Sequence, residues 1–229
     1  MRNTHDSRYI FSAYSNSVGA VLHQPLKAFL SDVPCAALPV TGGFISQVKE
    51  NIEFRIDSME ILRIGRASSS VLGERRNNQY VSFATSTVEK LTILDVITAD
   101  AVVSRVTSVY PAAENRQSDD DPRVNRAKLY LSGSHFDNLK IDGKRIQCEG
   151  EPSFQDRDGF SIQTADAQRR SLFTDACHEI FIPQFGTIYL GEVDIYSSKI
   201  SVTMLRVELG CPFAGSVAAG NSSTNGRDG

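Results

Sequence analysis

The chain has 229 residues, of which 41% are hydrophobic and 22% are charged, and its formal net charge is −3. This composition is typical of a globular protein, and the length suffices for one large all-β domain or two small ones. The acidic balance argues against a nucleic-acid-binding protein, which needs clustered Lys and Arg, and no run of about 18 apolar residues is present that would form a transmembrane segment.

The N-terminal region shows no targeting signal and predicts short strands. Residues 1–17 lack the continuous apolar core of a secretory signal peptide. The protein is therefore cytoplasmic, begins after a removed signal, or is exported by a route that needs no such peptide. Residues 8–22 predict a strand or hairpin broken near Asn16 and Ser17, and residues 26–30 predict one helical turn or a strand.

A loop and then a long strand region follow. Between residues 34 and 43, two prolines and a pair of glycines predict a loop. Residues 44–64 form a long segment in which residues 52–57 alternate strictly between apolar and charged side chains. This alternation predicts a strand with Ile52, Phe54 and Ile56 facing the core and the charged side chains in water. Residues 73–78, with the sequence GERRNN, predict a polar loop.

Residues 80–110 form the longest regular stretch of the chain. Apolar residues fall on both parities between Val88 and Ile97, which leaves a helix as an alternative. The density of Val, Ile and Thr favours buried strands, because restricted χ1 angles penalise these residues in helices. The polar segment 111–126 predicts either an exposed connector or a boundary between two halves. Strands are predicted again at 127–131 and 138–148, where Asp142–Gly143 indicates a hairpin turn.

The C-terminal third contains two strands with a change of parity. In residues 186–196 the apolar side chains occupy even positions up to Leu190 and odd positions from Val193. Residues 199–209 show the same change after Met204. One extra residue in a strand, as in a β-bulge, turns all later side chains to the other face. Two neighbouring strands with this feature predict a strongly twisted or coiled sheet.

These patterns together predict an all-β fold, either an antiparallel β-sandwich or a twisted, barrel-like sheet with long bulged strands. We expect residues 1–213 to form a single domain, with the loop at 111–126 as a candidate internal boundary. Residues 214–229 contain four glycines and, apart from alanines, Val217 as their sole apolar residue. This segment is expected to be a flexible tail, because it buries too little surface to offset the cost of ordering it.

Two acidic clusters, at residues 119–121 and 156–159, are candidate cation sites. Calcium takes oxygen ligands from several positions of one loop, and the Asp-X-Asp-Gly order of the second cluster is a fragment of such loops. The candidate calcium ligands are Asp119, Asp121, Asp156 and Asp158. Because the complete EF-hand spacing is absent, the alternative is that both clusters are solvated turns. No other cofactor is predicted.

The four cysteines are too widely spaced for a CxxC zinc or redox motif. Cys35, Cys148, Cys177 and Cys211 are equally compatible with two disulfides and with four free thiols. Cys177 adjoins His178 and Glu179, but neighbours on a strand point to opposite faces and are poor catalytic partners. His135 is the candidate distant partner if Cys177 is a nucleophile.

Several phrases of the chain resemble, in order, bacterial proteins of the choice-of-anchor P type. They are SAYS at 12–15, ALPVTGG at 37–43, ITADAVVS at 97–104, FDNLKIDGK at 136–144, IPQFGTIYLGE at 182–192 and ISVTMLRV at 200–207. Those proteins are secreted or surface-displayed β-rich domains whose C-terminal anchors vary. The resemblance implies an extracellular, non-enzymatic β-domain and supplies no catalytic residues.

The sequence thus predicts a secreted or surface-exposed bacterial protein that is not an enzyme. We expect it to bind a protein or carbohydrate surface, or to self-associate, and to have no nucleic-acid partner. Edge strands offer a route to assembly, since their unpaired N–H and C=O groups can add a partner strand. One rival is a membrane-active toxin in which strands such as residues 81–88 rearrange into a pore. The other is a hydrolase centred on Cys177 or Asp158.

Overall fold

A computed structural model describes the chain at residues 9–22, 28–30, 33–111, 128–150, 160–161, 168–174, 178–196 and 199–210. The regular structure in these ranges consists of 17 β-strands, which confirms the predicted all-β class. No helix in the described ranges is long and apolar enough to cross a membrane. The predicted tail at 214–229 and nearly all of the predicted loop at 111–126 lie outside these ranges.

The strands fall into short and long groups. Four short strands come first: β1 (Tyr14–Asn16), β2 (Ala20–Leu22), β3 (Ala28–Leu30) and β4 (Cys35–Ala37). Four long strands follow: β5 (Gly43–Ile56), β6 (Met59–Arg76), β7 (Gln79–Ile93) and β8 (Ile97–Pro111). Six short ones come next: β9 (Lys128–Tyr130), β10 (His135–Asp137), β11 (Lys140–Ile141), β12 (Lys144–Arg145), β13 (Phe160–Ser161) and β14 (Gln168–Ser171). The last are β15 (Glu179–Ile182), β16 (Gly186–Tyr196) and β17 (Lys199–Leu209).

Two antiparallel sheets contain most of these strands. In the main sheet, β5 to β8 form consecutive hairpins, β5 lies at one edge, and β8 pairs at its other side with β9, β10 and β11. In the second sheet, β16 lies at the centre and pairs with β14, β15 and β17. Two small hairpin-like pairs, β1 with β4 and β2 with β3, come from the N-terminal region.

The two sheets share one hydrophobic core. Ile64 and Ile97 of the main sheet and Ile188 and Leu190 of the second sheet are fully buried in the same cluster. The cluster joins residues from both sides of the predicted 111–126 loop. An antiparallel β-sandwich, one of the two predicted architectures, is therefore what this chain forms.

The N-terminal segment covers the part of the main sheet that the second sheet leaves uncovered. Phe11, Leu38 and Val71 belong to a second buried cluster at that end. Hydrogen bonds fasten the segment to the sheet: the Ser17 hydroxyl donates to the Ser68 carbonyl at 2.6 Å, and the Ser69 hydroxyl donates to the Pro34 carbonyl at 2.7 Å. Both clusters thus lie on the same face of the main sheet, the covered face.

A transverse irregularity crosses the main sheet where β5 to β8 lie side by side. Asn51, Gly65, Lys90 and Asp100 stand opposite one another, yet each lacks the regular pairing that its neighbours make. We call these four residues the break row. Asn51 and Lys90 have positive φ angles of 52° and 55°.

The break row changes which residues face the core. On β6, Leu62 and Ile64 are buried before it, whereas Ala67, Ser69 and Val71 are buried after it. All four strands change parity at the same level, so the pairing register is the same on both sides. The sheet therefore keeps one covered face along its whole length.

The second sheet shows the change of parity predicted there. Gly191, with φ of 65°, stands opposite Met204, and the buried residues pass from Leu190 to Val193. The pairing register is retained, because both strands change parity at the same level. The change is thus a paired feature of two strands rather than an insertion in one.

Several local predictions are corrected or resolved. The loop expected at 73–78 is wrong, because β6 continues to Arg76 and only Asn77 and Asn78 form the turn. Both asparagines have positive φ, which a type I′ hairpin turn requires and Asn tolerates. The alternative helix at 88–97 is excluded by β7 and β8, which a turn at 94–96 connects.

Other local predictions agree with the structure. The Asp142–Gly143 turn is confirmed, with φ of 49° and 72° between β11 and β12. Ile52 is buried and Phe54 and Ile56 are half-buried, while the charged residues between them are exposed. The expected loop at 34–43 contains the short strand β4, and the segment at 26–30 ends in the strand β3.

Candidate functional site

The face of the main sheet that points away from the core is a surface formed by the four long strands β5 to β8. Its residues between the break row and the Asn77–Asn78 turn alternate with the covered ones and lie opposite one another in rows. The rows are Phe44–Leu72–Phe83–Thr107, Ser46–Ser70–Thr85–Arg105, Val48–Ser68–Thr87–Val103 and Glu50–Arg66–Glu89–Ala101. None of these residues is buried. We call this surface the outer face.

The outer face has an apolar row, Phe44–Leu72–Phe83, towards the Asn77–Asn78 turn, and the apolar Val48 lies on the same edge strand as Phe44. The Phe44 side chain is 66% exposed and Val48 is 50% exposed, although large apolar side chains usually lie inside a protein. Leu72 and Phe83 continue the Phe44 row as half-buried neighbours. Contiguous exposed apolar side chains of this kind mark interaction surfaces.

Two polar side chains lie in the row beside the apolar row. The Arg105 guanidinium lies 5.5 Å from the centre of the Phe83 ring, a cation–π contact. Thr85, opposite Arg105, has a buried hydroxyl without a hydrogen-bond partner among the described residues.

Charges border the outer face at the break row. Arg66 Nη1 lies 3.9 Å from Glu89 Oε1, and both side chains are about half exposed. Beside them a groove of about 390 Å³ crosses the strands and is lined by Asn51, Glu53, Arg63, Lys90, Thr92 and Asp100. Protein interfaces usually combine apolar side chains with polar and charged side chains at their margin.

The edge of the outer face is strand β5. One side of β5 pairs with β6, and no described strand pairs with its other side. Residues 43–48 of this strand, with the sequence GFISQV, contain no charge and no proline. This half of β5 therefore lacks the charges and prolines with which proteins usually protect a sheet edge.

A comparison with protein families shows which family the chain belongs to. The profile of the family described as domain of unknown function DUF8256 matches residues 9–170.

The chain belongs to the DUF8256 family.

Neither the search of curated proteins nor the search of solved structures found a match. The DUF8256 region contains β1 to β13 and therefore all of β5 to β8, the strands that form the outer face. Strands β15 to β17 follow after its end. The candidate surface is thus a feature of the DUF8256 region itself.

The residues predicted as cation ligands cannot be placed in this DUF8256 structure. Asp119, Asp121, Asp156 and Asp158 lie outside the described residues, as do Cys177 and Cys211. Within the described ranges no three His, Cys, Asp or Glu side chains cluster as metal ligands do. Calcium binding therefore stays a prediction.

The remaining predicted residues are dispersed. Cys35 is a half-buried free thiol on β4. His178 is half-buried with Nδ1 3.4 Å from the Leu190 carbonyl oxygen, and Glu179 is exposed on β15. Cys35 on β4 and Glu179 on β15 therefore belong to different sheets.

His135 and Cys148 line a common cleft beside β10. The cleft measures about 360 Å³ and includes Arg145 and Phe173 in its wall. His135 Nε2 is 3.7 Å from Asp137 Oδ2, and its Nδ1 lies 2.9 Å from the Gly133 carbonyl oxygen. The imidazole is exposed, whereas Cys148 packs against the main core. The structure therefore places His135 and Cys148 in the wall of one cleft, which the sequence did not predict.

Sequence reasoning missed one buried charge, Glu192 on β16. Its side chain accepts two hydrogen bonds from the guanidinium of Arg206, at 2.6 and 2.7 Å, and that guanidinium lies 3.8 Å from the Tyr189 ring centre. The carboxylate of Glu192 raises the pKa of Arg206, which remains charged. The parity change at Gly191 is the signal that separates Glu192 from the core-facing Val193.

Proposed function

We propose that this protein acts by binding a protein surface through the outer face of its main sheet, as a non-enzymatic, extracellular or surface-exposed bacterial domain. The observation that carries the proposal is the outer face itself, with Phe44 and Val48 exposed on its edge strand β5, an apolar row from Phe44 to Phe83, and charges along one margin. Four long hairpin-connected strands hold these side chains in fixed rows. Because these side chains are already held in place, binding of a partner costs this protein little conformational entropy.

The bacterial and extracellular parts of the proposal rest on the ordered phrases shared with choice-of-anchor P proteins. A face of this kind also has a simple explanation, since antiparallel sheets often leave one face to water. What favours binding is the apolar row, because a purely solvated face would have polar side chains at the positions of Phe44 and Leu72.

The test uses the fluorescently labelled full chain on intact cells of the producing bacterium, with flow cytometry as the readout. We expect Phe44→Glu to reduce cell binding at least tenfold, because it places a charge in the apolar row. Phe181→Glu is the matched control, since Phe181 is 70% exposed but lies on β15 of the second sheet. It should bind as the wild type does.

Three results would contradict the proposal. Equal binding by Phe44→Glu and the wild type would remove the outer face from the interaction. Binding of the wild type to a glycan array, and to protease-treated cells as well as to intact cells, would make the partner a carbohydrate. Dye release from liposomes would support the membrane-active alternative instead.

A further inference from the structure

We propose that two copies of this chain pair edge to edge through β5, antiparallel and about a twofold axis at Ser46. The pairing rests on the proposed function, because it joins two outer faces into one continuous binding surface. Its starting point is the edge described above, where residues 43–48 carry neither charge nor proline and no described strand pairs with them. Addition of a strand satisfies the free N–H and C=O groups of such an edge.

The continuity of the outer face restricts how the two strands align. Residues directly opposite each other in an antiparallel pair direct their side chains to the same face. Phe44, Ser46 and Val48 all lie on the outer face. These residues must therefore face one another, and not the covered-face residues Ile45 and Gln47, for the two outer faces to merge.

One alignment satisfies the side chains best. With Ser46 opposite Ser46 of the second copy, Phe44 stands opposite Val48 of the second copy, and this pair occurs twice by symmetry. Aromatic and β-branched residues are a favourable cross-strand combination. Further out, Lys49 stands opposite Gly43, so no charge faces another charge.

Neighbouring alignments are less favourable. A shift of two residues places Glu50 opposite the apolar Phe44 and Lys49 opposite Ile45. A further shift of four residues places Lys49 opposite Lys49 of the second copy, and like charges in that position repel. The charges of β5 thus disfavour these two alignments, and the two Phe44–Val48 pairs favour the alignment centred on Ser46.

The same strand limits the assembly to a closed dimer. Residues beyond Glu50 reach the break row, where Asn51 has a positive φ and the regular strand is interrupted. A twofold pair consumes the β5 edge of both copies, so no β5 edge is left for a third copy. The eight long strands would extend the outer face over roughly 35 Å at a strand spacing of about 4.8 Å.

The first measurement is the mass of the full chain by analytical ultracentrifugation over a concentration series. We expect a monomer–dimer equilibrium for the wild type. Ser46→Lys and Ser46→Glu should each weaken the dimer by roughly tenfold or more, because each places like charges on the axis. Ser46 is exposed, so neither substitution disturbs the core.

The decisive measurement mixes the two variants in equal amounts. Because residue 46 faces residue 46, Ser46→Lys and Ser46→Glu should together form a heterodimer at least as tight as the wild-type dimer. Ser201→Lys and Ser201→Glu are the matched controls, since Ser201 is exposed on β17 of the second sheet. Both should dimerise as the wild type does.

Each outcome decides the inference. A wild type that stays monomeric, a Ser46→Lys variant that still dimerises, or a mixture that does not associate would overturn it. The cell-binding assay separates this result from the proposed function. At concentrations at which the wild type is monomeric it should still bind cells, only more weakly through lost bivalency, whereas failure of the function would abolish cell binding by monomer and dimer alike.

Discussion

At the scale of single residues, Gly191 determines how the second sheet presents its side chains. Its φ of 65° lies in the left-handed region, which glycine adopts without steric cost. A Cβ atom built on Gly191 would lie 2.5 Å from Cδ2 of Phe173, so the position also requires the absence of a side chain. Glycine here permits Val193 to be buried and Glu192 to pair with Arg206.

Gly191→Ala should lower the free energy of unfolding by about 2–4 kcal/mol, from the left-handed backbone and from overpacking together. Gly143→Ala is the matched control, because Gly143 has φ of 72° but nothing within 4 Å of its Cβ position. The control should lose only about 1 kcal/mol. Urea unfolding of both variants measures the difference, and equal losses would show that contact with Phe173 is unimportant.

At the scale of strands, the break row lets four long strands turn their side chains over together. A change of parity in one strand alone would shift its register relative to its neighbours. In the main sheet the left-handed residues Asn51 and Lys90 lie on β5 and β7, at the same level as Gly65 and Asp100. A lysine side chain does not stabilise a left-handed backbone, so the pairing of the strands in the sheet imposes this conformation on Lys90.

Glycine at two positions of β7 should therefore have different effects. Lys90→Gly relieves the left-handed strain at the break row, whereas Thr92→Gly removes a β-branched side chain from a regular strand position. We expect Lys90→Gly to be the more stable of the two by about 1–2 kcal/mol. Thermal unfolding measures this. The reverse order would mean that the positive φ at Lys90 costs nothing.

At the scale of the whole molecule, the covered face is closed by two different elements. The second sheet covers one part, and the N-terminal segment covers the other through Phe11 and Leu38. Tyr9 stacks on Tyr80 with ring centres 4.1 Å apart and planes 3° apart, which ties the start of this segment to β7. The sandwich therefore depends on the N-terminal segment as well as on its sheets.

Burial raises the pKa of Tyr9, while a hydrogen bond with Ser82 acts in the opposite direction. Since the folded-state pKa exceeds the unfolded value, Tyr9 contributes its full stability below pH of about 10 and loses it as the pH rises through the folded pKa. As the pH rises above about 10, the free energy of unfolding should therefore fall less for Tyr9→Phe than for the wild type. Melting temperatures against pH measure this, with the exposed Tyr14→Phe as control; identical slopes for Tyr9→Phe and wild type would refute it.

Local sequence patterns determined the fold class, because strand formation depends on alternation between near neighbours. The strand at residues 52–57, the Asp142–Gly143 turn and the parity change beyond Leu190 were all predicted from such patterns. The boundary at residue 73 was wrong, because polar composition does not distinguish a loop from an exposed strand end. Gly73 to Arg76 are polar or small and still pair fully with β7.

The tertiary structure alone decided the candidate site. Phe44 and Val48 follow the same alternation as the buried Ile52, and only the break row between them places the first two outside and the third inside. That β5 is an edge strand depends on which strands pair across the sheet, and pairing joins residues distant in sequence. A pattern within one strand carries no information about its neighbours, so the outer face and its edge become visible only when the strands are assembled.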